Sequence, residues 1–229
     1  MLKKISNIGD CGITCDFGDE VNKNTNKEVI KLFNFIKHSI KSKKLKGIFN
    51  STPSYNKLII NFDLSEVKSN ELIEFIKSSD YSKTKLPEKS KHIEIPICYD
   101  EEFALDIKRL EDKIKLSFKE IVEFHLKTEF FVYMIGFVPG HPFMGDLPKK
   151  LEIDRLETPR VKLSKGSVGV VEKFCNIYSF ESPGGWNIIG KTPFNLFNVN
   201  NKNPSKLVPG DTVKFKSISK KELLTFKNE

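Results

Sequence analysis

The chain has 229 residues, 38% of them hydrophobic, and 38 Lys and Arg against 30 Asp and Glu, giving a formal net charge of +8. That length supports one large domain or two small ones. No apolar run approaches a membrane span and the opening MLKKISNIGDCG lacks a signal peptide's apolar core, so a cytoplasmic protein with no membrane partner is expected. Nor does the charge imply nucleic acid: only Arg109, Arg155 and Arg160 are arginines, and the lysines are spread along the whole chain.

In chain order, Gly12 to Phe17 reads as a strand after the turn Gly9-Asp10. Val29, Ile30, Leu32, Phe33, Phe35, Ile36 and Ile40 follow the 3.6-residue period of an amphipathic helix. Gly47 to Asn50 and Leu58 to Phe62 read as strands around the turn Thr52-Pro53-Ser54, and Leu72, Ile73, Phe75 and Ile76 predict a second helix starting near Ser69-Asn70. This βαββα run, closed by one more strand, predicts a small ferredoxin-like α/β N-terminal domain over residues 1–83. The polar passage Ser78 to Lys91 reads as a linker, and His92 to Tyr99 as a strand that either opens the second domain or completes the first sheet.

The second domain is expected over residues 84–229, so the fold class is α+β. Ser117 and Glu120 form a capping box, with Leu116 and Ile121 as a hydrophobic staple, for a helix from Phe118 to about Leu126. Short strands are predicted at Phe130 to Ile135, Val168 to Val171, Asn176 to Phe180, Trp186 to Ile189, Asn195 to Val199 and Thr212 to Ile218. Gly and Pro punctuate them closely, as in a sandwich or barrel.

Cys11, Cys15, Cys98 and Cys175 make no C-x-x-C, and His38, His92, His125 and His141 make no H-x-x-x-H, so no metal site is expected. Cys11 and Cys15 flank a strand and are expected on one buried face, and His125, on the apolar side of its helix, is expected to be a satisfied core histidine. PGGWNIIGKTP, Pro183 to Pro193, matches the phosphate-loop pattern at Gly185, Gly190, Lys191 and Thr192. A phosphate loop needs a buried strand before it and a helix starting at the lysine, whereas here a polar turn precedes and Pro193 disfavours a helix. The segment is expected to be turn, strand and turn.

Three stretches concentrate special residues. GFVPGHPFMGDLP, Gly136 to Pro148, is either a constrained binding loop or a rigid crossover with Phe137 and Phe143 as core plugs. In TPRVKLSKGSVGVV, Arg160 either clamps a ligand carboxylate or phosphate or forms an internal salt bridge. Trp186, beside Gly184-Gly185 and near Lys191, either stacks on a planar ligand or is simply buried. No Ser-His-Asp order or nucleophile elbow occurs, and no catalytic residue is assigned.

Taken together, GFVPGHPFMGDLP, TPRVKLSKGSVGVV and NIYSFESPGGWNIIGKTPFNLF resemble the 5-oxoprolinase B-component family, also called the KipI-like or allophanate hydrolase subunit 1 family. The resemblance extends to GDCGITCDFGDEV, IPICYDEEF and LVPGDTVKFKSIS, and so covers essentially the whole chain. It implies a cyclophilin-like β-barrel as the second domain. It also implies an ATP-hydrolysing hydrolase that opens 5-oxoproline to L-glutamate, active only in complex with two partners: a KipA-like, biotin-carboxylase-related C component and a LamB/YcsF-like A component. Phosphorylation of the amide oxygen would make the lactam a better electrophile, with ATP bound by the complex and not by a phosphate loop in this chain. The substrate-binding residues implied are Gly136, Phe137, Pro139, Gly140, His141, Arg160, Gly184, Gly185, Trp186 and Lys191, with Arg160 for a carboxylate and Lys191 for phosphate or developing negative charge.

Several positions depart from the family pattern. Lys191 replaces the usual Arg, His141 stands where Phe is typical, Asp146 where Gly is usual, Ser164-Lys165 where Pro-Ala is common, and Phe174-Cys175-Asn176 replaces Gln-Thr-Gly. The last four are expected inside the groove. Two alternatives come with the resemblance: an inhibitor of a histidine kinase, or the carboxyltransferase component of a urea- or allophanate-type biotin-dependent system. The chain has no A-M-K-M-type biotin site of its own.

Overall fold

The structure, a computed structural model, describes residues 2–84 and 90–227, so residues 85–89 of the expected linker lie outside the described residues. The chain divides into two compact units, Met1–Lys89 and Ser90–Glu229. Both mix helices with sheets.

In the first unit, β1 (Lys4–Asn7), β2 (Gly12–Asp16), β3 (Ile48–Pro53) and β4 (Lys57–Phe62) form an antiparallel sheet in the order β1-β2-β4-β3. β4 alternates half-buried and buried positions, the period of a sheet with one face on the core. Helices α1 (Lys23–Lys41) and α2 (Ser69–Ser78) cover that face, with Val29, Leu32, Ile36, Leu72 and Ile76 against Ile13, Leu58 and Ile60. The Asn22 side chain caps α1 by accepting from the Thr25 amide at 2.9 Å. Buried Asn26 donates to the carbonyls of Ser54 and Tyr55, which fixes the β3–β4 turn against the helix. The sheet is not completed by a strand after α2: β1, at the N-terminal end, occupies the edge beside β2. Of the two cysteines expected on one buried face, Cys15 is buried, its thiol pushed up to about 12 by desolvation, while Cys11 is exposed. Cys11 precedes β2 and so escapes its alternation.

The second unit is built on a seven-stranded sheet in the order β12-β9-β10-β7-β6-β13-β5. The strands are β5 (His92–Ile97), β6 (Glu129–Ile135), β7 (Pro142–Gly145), β9 (Ser167–Val171), β10 (Phe174–Ile177), β12 (Asn187–Lys191) and β13 (Thr212–Ser217). A two-stranded ribbon pairs β8 (Arg160–Leu163) with β11 (Ser182–Gly184). β9 is buried at all five positions, which explains its unbroken apolar reading. The strand left open between the two units, His92–Ile97, pairs in parallel with β13 in this sheet. Its two edge strands then meet: the Cys98 and Lys191 backbones exchange hydrogen bonds of 2.8 and 2.9 Å, so the sheet curls until its edges touch. Gly190 makes this seam possible, since a Cβ there would stand 2.7 Å from the Cys98 carbonyl.

Helices α3 (Ile107–Ile114), α4 (Phe118–Lys127) and α5 (Lys220–Thr225) complete the unit. The Ser117–Glu120 capping box starts α4. Ile107, Leu110 and Ile121 join Ile95, Phe130, Val168 and Phe215 in the core. No strand spans Asn195–Val199; only Phe197 pairs, in an isolated bridge to Ser205. Among the described residues, no helix is long and apolar enough to cross a membrane.

Candidate functional site

A cleft of about 170 Å³ opens in the second unit. Phe137, Phe143, Tyr178 and Trp186 give it aromatic walls; His141, Asn176 and Arg155 supply its polar groups, with Pro183 and Gly184 at its margin. Three segments bring these together. Between β6 and β7, the Gly136–His141 loop folds on itself through Gly136 N to His141 O, Val138 N to Gly136 O and His141 N to Val138 O, and Ser179 Oγ donates to its Pro139 carbonyl at 2.8 Å. Phe137 takes a left-handed φ of 68° and is 64% exposed, so it lines the cleft and is no core plug. Gly140 also has a positive φ, and its Cα side lies against Phe197.

β10 contributes Asn176, and the residue after its end, Tyr178, stands over the Pro-Gly-Gly turn. Gly185 lies under Arg155: a Cβ there would be 2.6 Å from the guanidinium Nε. The segment carrying Arg155 is pinned on both sides. The Leu156 amide donates to the Gly185 carbonyl, and Asn187 Nδ2 donates to both the Asp154 and Val170 carbonyls. Arg155 itself is exposed.

His141 is the hub of the aromatic cluster, with ring centroids of Phe137, Phe143 and Tyr178 at 5.5, 5.0 and 5.2 Å. Phe143 in turn meets Trp186 at 5.9 Å. Desolvation lowers the His141 imidazole to about 4, so it is neutral at physiological pH. Asn176 Nδ2 lies 3.1 Å from His141 Nε2. The other ring nitrogen, Nδ1, and Asn176 Oδ1 are buried without a hydrogen-bond partner.

Of the residues singled out from the sequence, the structure gathers Phe137, His141, Gly184 and Trp186 on the cleft, with Gly136, Pro139, Gly140 and Gly185 in the backbone that shapes it. Two cations stand elsewhere. Arg160 Nη2 donates to Asp106 Oδ1 at 2.6 Å, and Asp106 Oδ2 accepts from the Ile188 amide, an internal ion pair on a carboxylate only 5% exposed. Lys191 lies on the seam where the edges of the curled sheet meet, with Nζ 5.7 Å from the Phe103 ring centroid. The phosphate-loop match is thus strand β12. Arg155, Asn176 and Tyr178 were not singled out as binding residues. The scarcity of arginine that drew attention to Arg160 applied equally to Arg155.

Only two of the sequence departures line the cleft, His141 and Asn176, and they bond to each other. Asp146 is exposed at a left-handed φ of 74°, which suits glycine, and accepts from the Tyr133 hydroxyl. Lys165 donates to Asn195 Oδ1. Cys175 faces the core, 3.6 Å from His125 Nε2, while Tyr99 Oη sits 2.7 Å from His125 Nδ1, so His125 is a satisfied core histidine. Among the described residues, no group of three His, Cys, Asp or Glu converges as a metal site.

The sequence matches the family described as carboxyltransferase domain, subdomain C and D, over residues 3–207. It is 33% identical to the B component of the 5-oxoprolinase of Bacillus subtilis (strain 168), an alignment covering 99% of this chain and 97% of that one. Among solved structures, the chain resembles TTHA0988 with a TM-score of 0.79 and 26% identity over 91% of its own length, and spans 40% of that longer chain. An uncharacterized protein from Pyrococcus horikoshii, PH0987, is 34% identical with a TM-score of 0.57, covering 96% of this chain and 100% of that one. The chain therefore belongs to the carboxyltransferase-domain family, subdomains C and D, and 5-oxoprolinase B components are among its relatives.

Proposed function

We propose that this chain is the B component of an ATP-dependent 5-oxoprolinase that opens 5-oxoproline to L-glutamate together with an A component (LamB/YcsF-like) and a C component (KipA-like). The observation that carries the reading is the end-to-end similarity to a relative of that name. The cleft supports it: its size suits a small ring acid, with aromatic faces for the ring and a guanidinium for the carboxylate. In this reading the N-terminal unit is a ferredoxin-like variant whose edge strand comes from β1. The second unit is a cyclophilin-like barrel, supported by its closed seam, and the protein acts in the cytoplasm.

The chain's match to the phosphate-loop pattern supplies no phosphate cradle in this reading. That match is strand β12, with no helix starting at Lys191. ATP is therefore assigned to the complex, and this chain's part is to hold and orient the lactam. The family's carboxyltransferase description supports a second reading, in which the cleft holds a small amide such as urea while a biotinylated partner brings the carboxyl group.

The test is 5-oxoproline-dependent ATP hydrolysis by the three reconstituted components. Turnover should disappear when this chain is omitted. Undiminished turnover without it, or carboxylation of urea in place of lactam opening, would overturn the first reading.

A further inference from the structure

We propose that His141 and Asn176 form an amide-reading pair, presenting one hydrogen-bond donor and one acceptor to the edge of a lactam whose carboxylate is taken by Arg155. The inference rests on the reading of this chain as the lactam-binding component, and assigns the cleft residues that recognise the ring.

Both side chains line the cleft and are only 1% exposed. Each uses one polar atom on the other, at 3.1 Å, and each keeps one buried atom, His141 Nδ1 and Asn176 Oδ1, without a partner. Buried polar atoms in folded proteins are overwhelmingly paired, so two orphans on contacting side chains that line one cleft point to a ligand. The chemical demand is the same whichever way the protons are placed. With Asn176 Nδ2 donating to Nε2, the imidazole carries its proton on Nδ1, leaving a His141 donor and an Asn176 carbonyl acceptor. With the amide turned over, Nε2–H donates to Asn176 Oδ1, leaving a free Asn176 donor and a His141 acceptor.

A matching ligand must offer N–H and C=O on the same edge. A carboxylate offers only acceptors, and a ring ketone only one; a cis-amide offers both, and a five-membered lactam holds the amide cis. Phe143 and Trp186, packed edge to face on each other, line the same cleft as apolar walls for such a ring. Arg155 lies on the same cleft, and among the described residues no ion pair engages it.

Titration calorimetry of the full chain, alone and in the complete three-component assembly, separates the contacts. The probes are 5-oxoproline, 2-pyrrolidinone (lactam without carboxylate), 3-oxocyclopentanecarboxylate (ring ketone with carboxylate) and urea. The native chain should bind 5-oxoproline at least about tenfold tighter than the ring ketone, the scale of one lost hydrogen bond that leaves a buried group unpaired. His141→Phe and Asn176→Leu should each weaken both lactams by about tenfold and leave the ketone unchanged. Arg155→Ala should weaken 5-oxoproline and spare 2-pyrrolidinone. Thermal melts of each variant confirm folding. Equal binding of lactam and ketone, lactam affinity unaltered in both pair variants, binding of urea alone, or no lactam binding in either setting would overturn the pair. Continued 5-oxoproline turnover in those cases would leave the proposed membership of the 5-oxoprolinase complex standing.

Discussion

Two buried histidines in the same unit have opposite surroundings. His125, in the core of the second unit, has Tyr99 Oη on one ring nitrogen and Cys175 Sγ near the other, with Phe130 and Phe215 rings at 5.0 and 4.6 Å. His141, on the cleft, has aromatic neighbours too, but one ring nitrogen is unpartnered. Desolvation lowers both, to about 3 and about 4, so the direction of titration alone does not separate scaffold from site. The difference lies in hydrogen-bond satisfaction: the core completes its polar network internally, and the cleft leaves part of its network for something else.

The sharpest way to break this comparison is to delete each ring. His125→Ala should destabilise the second unit by about 3–5 kcal/mol in urea unfolding, because it opens a cavity and strips the Tyr99 hydroxyl of its partner. Acid exposes what the two histidines share. Both are depressed below 6.5, so their contribution is intact at neutral pH; as pH falls below 6.5 the unfolded chain binds protons that the folded chain refuses. Stability should therefore drop by roughly 3–4 kcal/mol between pH 7 and 5, and His141→Phe should remove about half of that loss. Chemical unfolding at the two pH values measures both, and a flat profile would contradict the burial of both rings.

The arginines extend the contrast at lower amplitude. Arg160→Ala leaves Asp106 charged and buried, with the Ile188 amide as its remaining partner, and should cost about 2–3 kcal/mol, discounted for the partial exposure of Arg160. Arg155→Ala should change stability by less than about 0.5 kcal/mol, yet raise the KM for 5-oxoproline in the reconstituted complex. If Arg160→Ala were the variant that raised KM at unchanged stability, the two roles would have to be exchanged.

Local signals were the legible ones. The Ser117–Glu120 box announced α4, and the 3.6-residue spacing over Val29 to Ile40 announced α1, because neighbours in sequence satisfy both. The closing partner of the first sheet was not legible, since β1 competes with any later strand for the same edge. Ile107, Leu110 and Ile114 carried helical spacing for α3, but its eight residues are a short signal. At the site, the Gly- and Pro-rich loop and Trp186 stood out by composition. Asn176 was marked only through the resemblance, as part of a departure expected inside the groove, for nothing near it in sequence reveals that His141, 35 positions away, is its partner. Arg160 was conspicuous for the right chemical reason, but its carboxylate partner is Asp106, on a segment that only the fold brings beside it.

The bridge between Cys98 and Lys191 has a kinetic consequence. It joins backbone groups 93 positions apart with just two hydrogen bonds, so its entropy of loop closure is recovered only after the intervening strands have assembled. The Cys98 and Lys191 amides should accordingly be among the last in the curled sheet to gain protection in pulsed hydrogen exchange during refolding, and among the first to lose it on partial opening. The segment whose letters spell a phosphate loop then serves as the clasp that joins the two edges of the curled sheet.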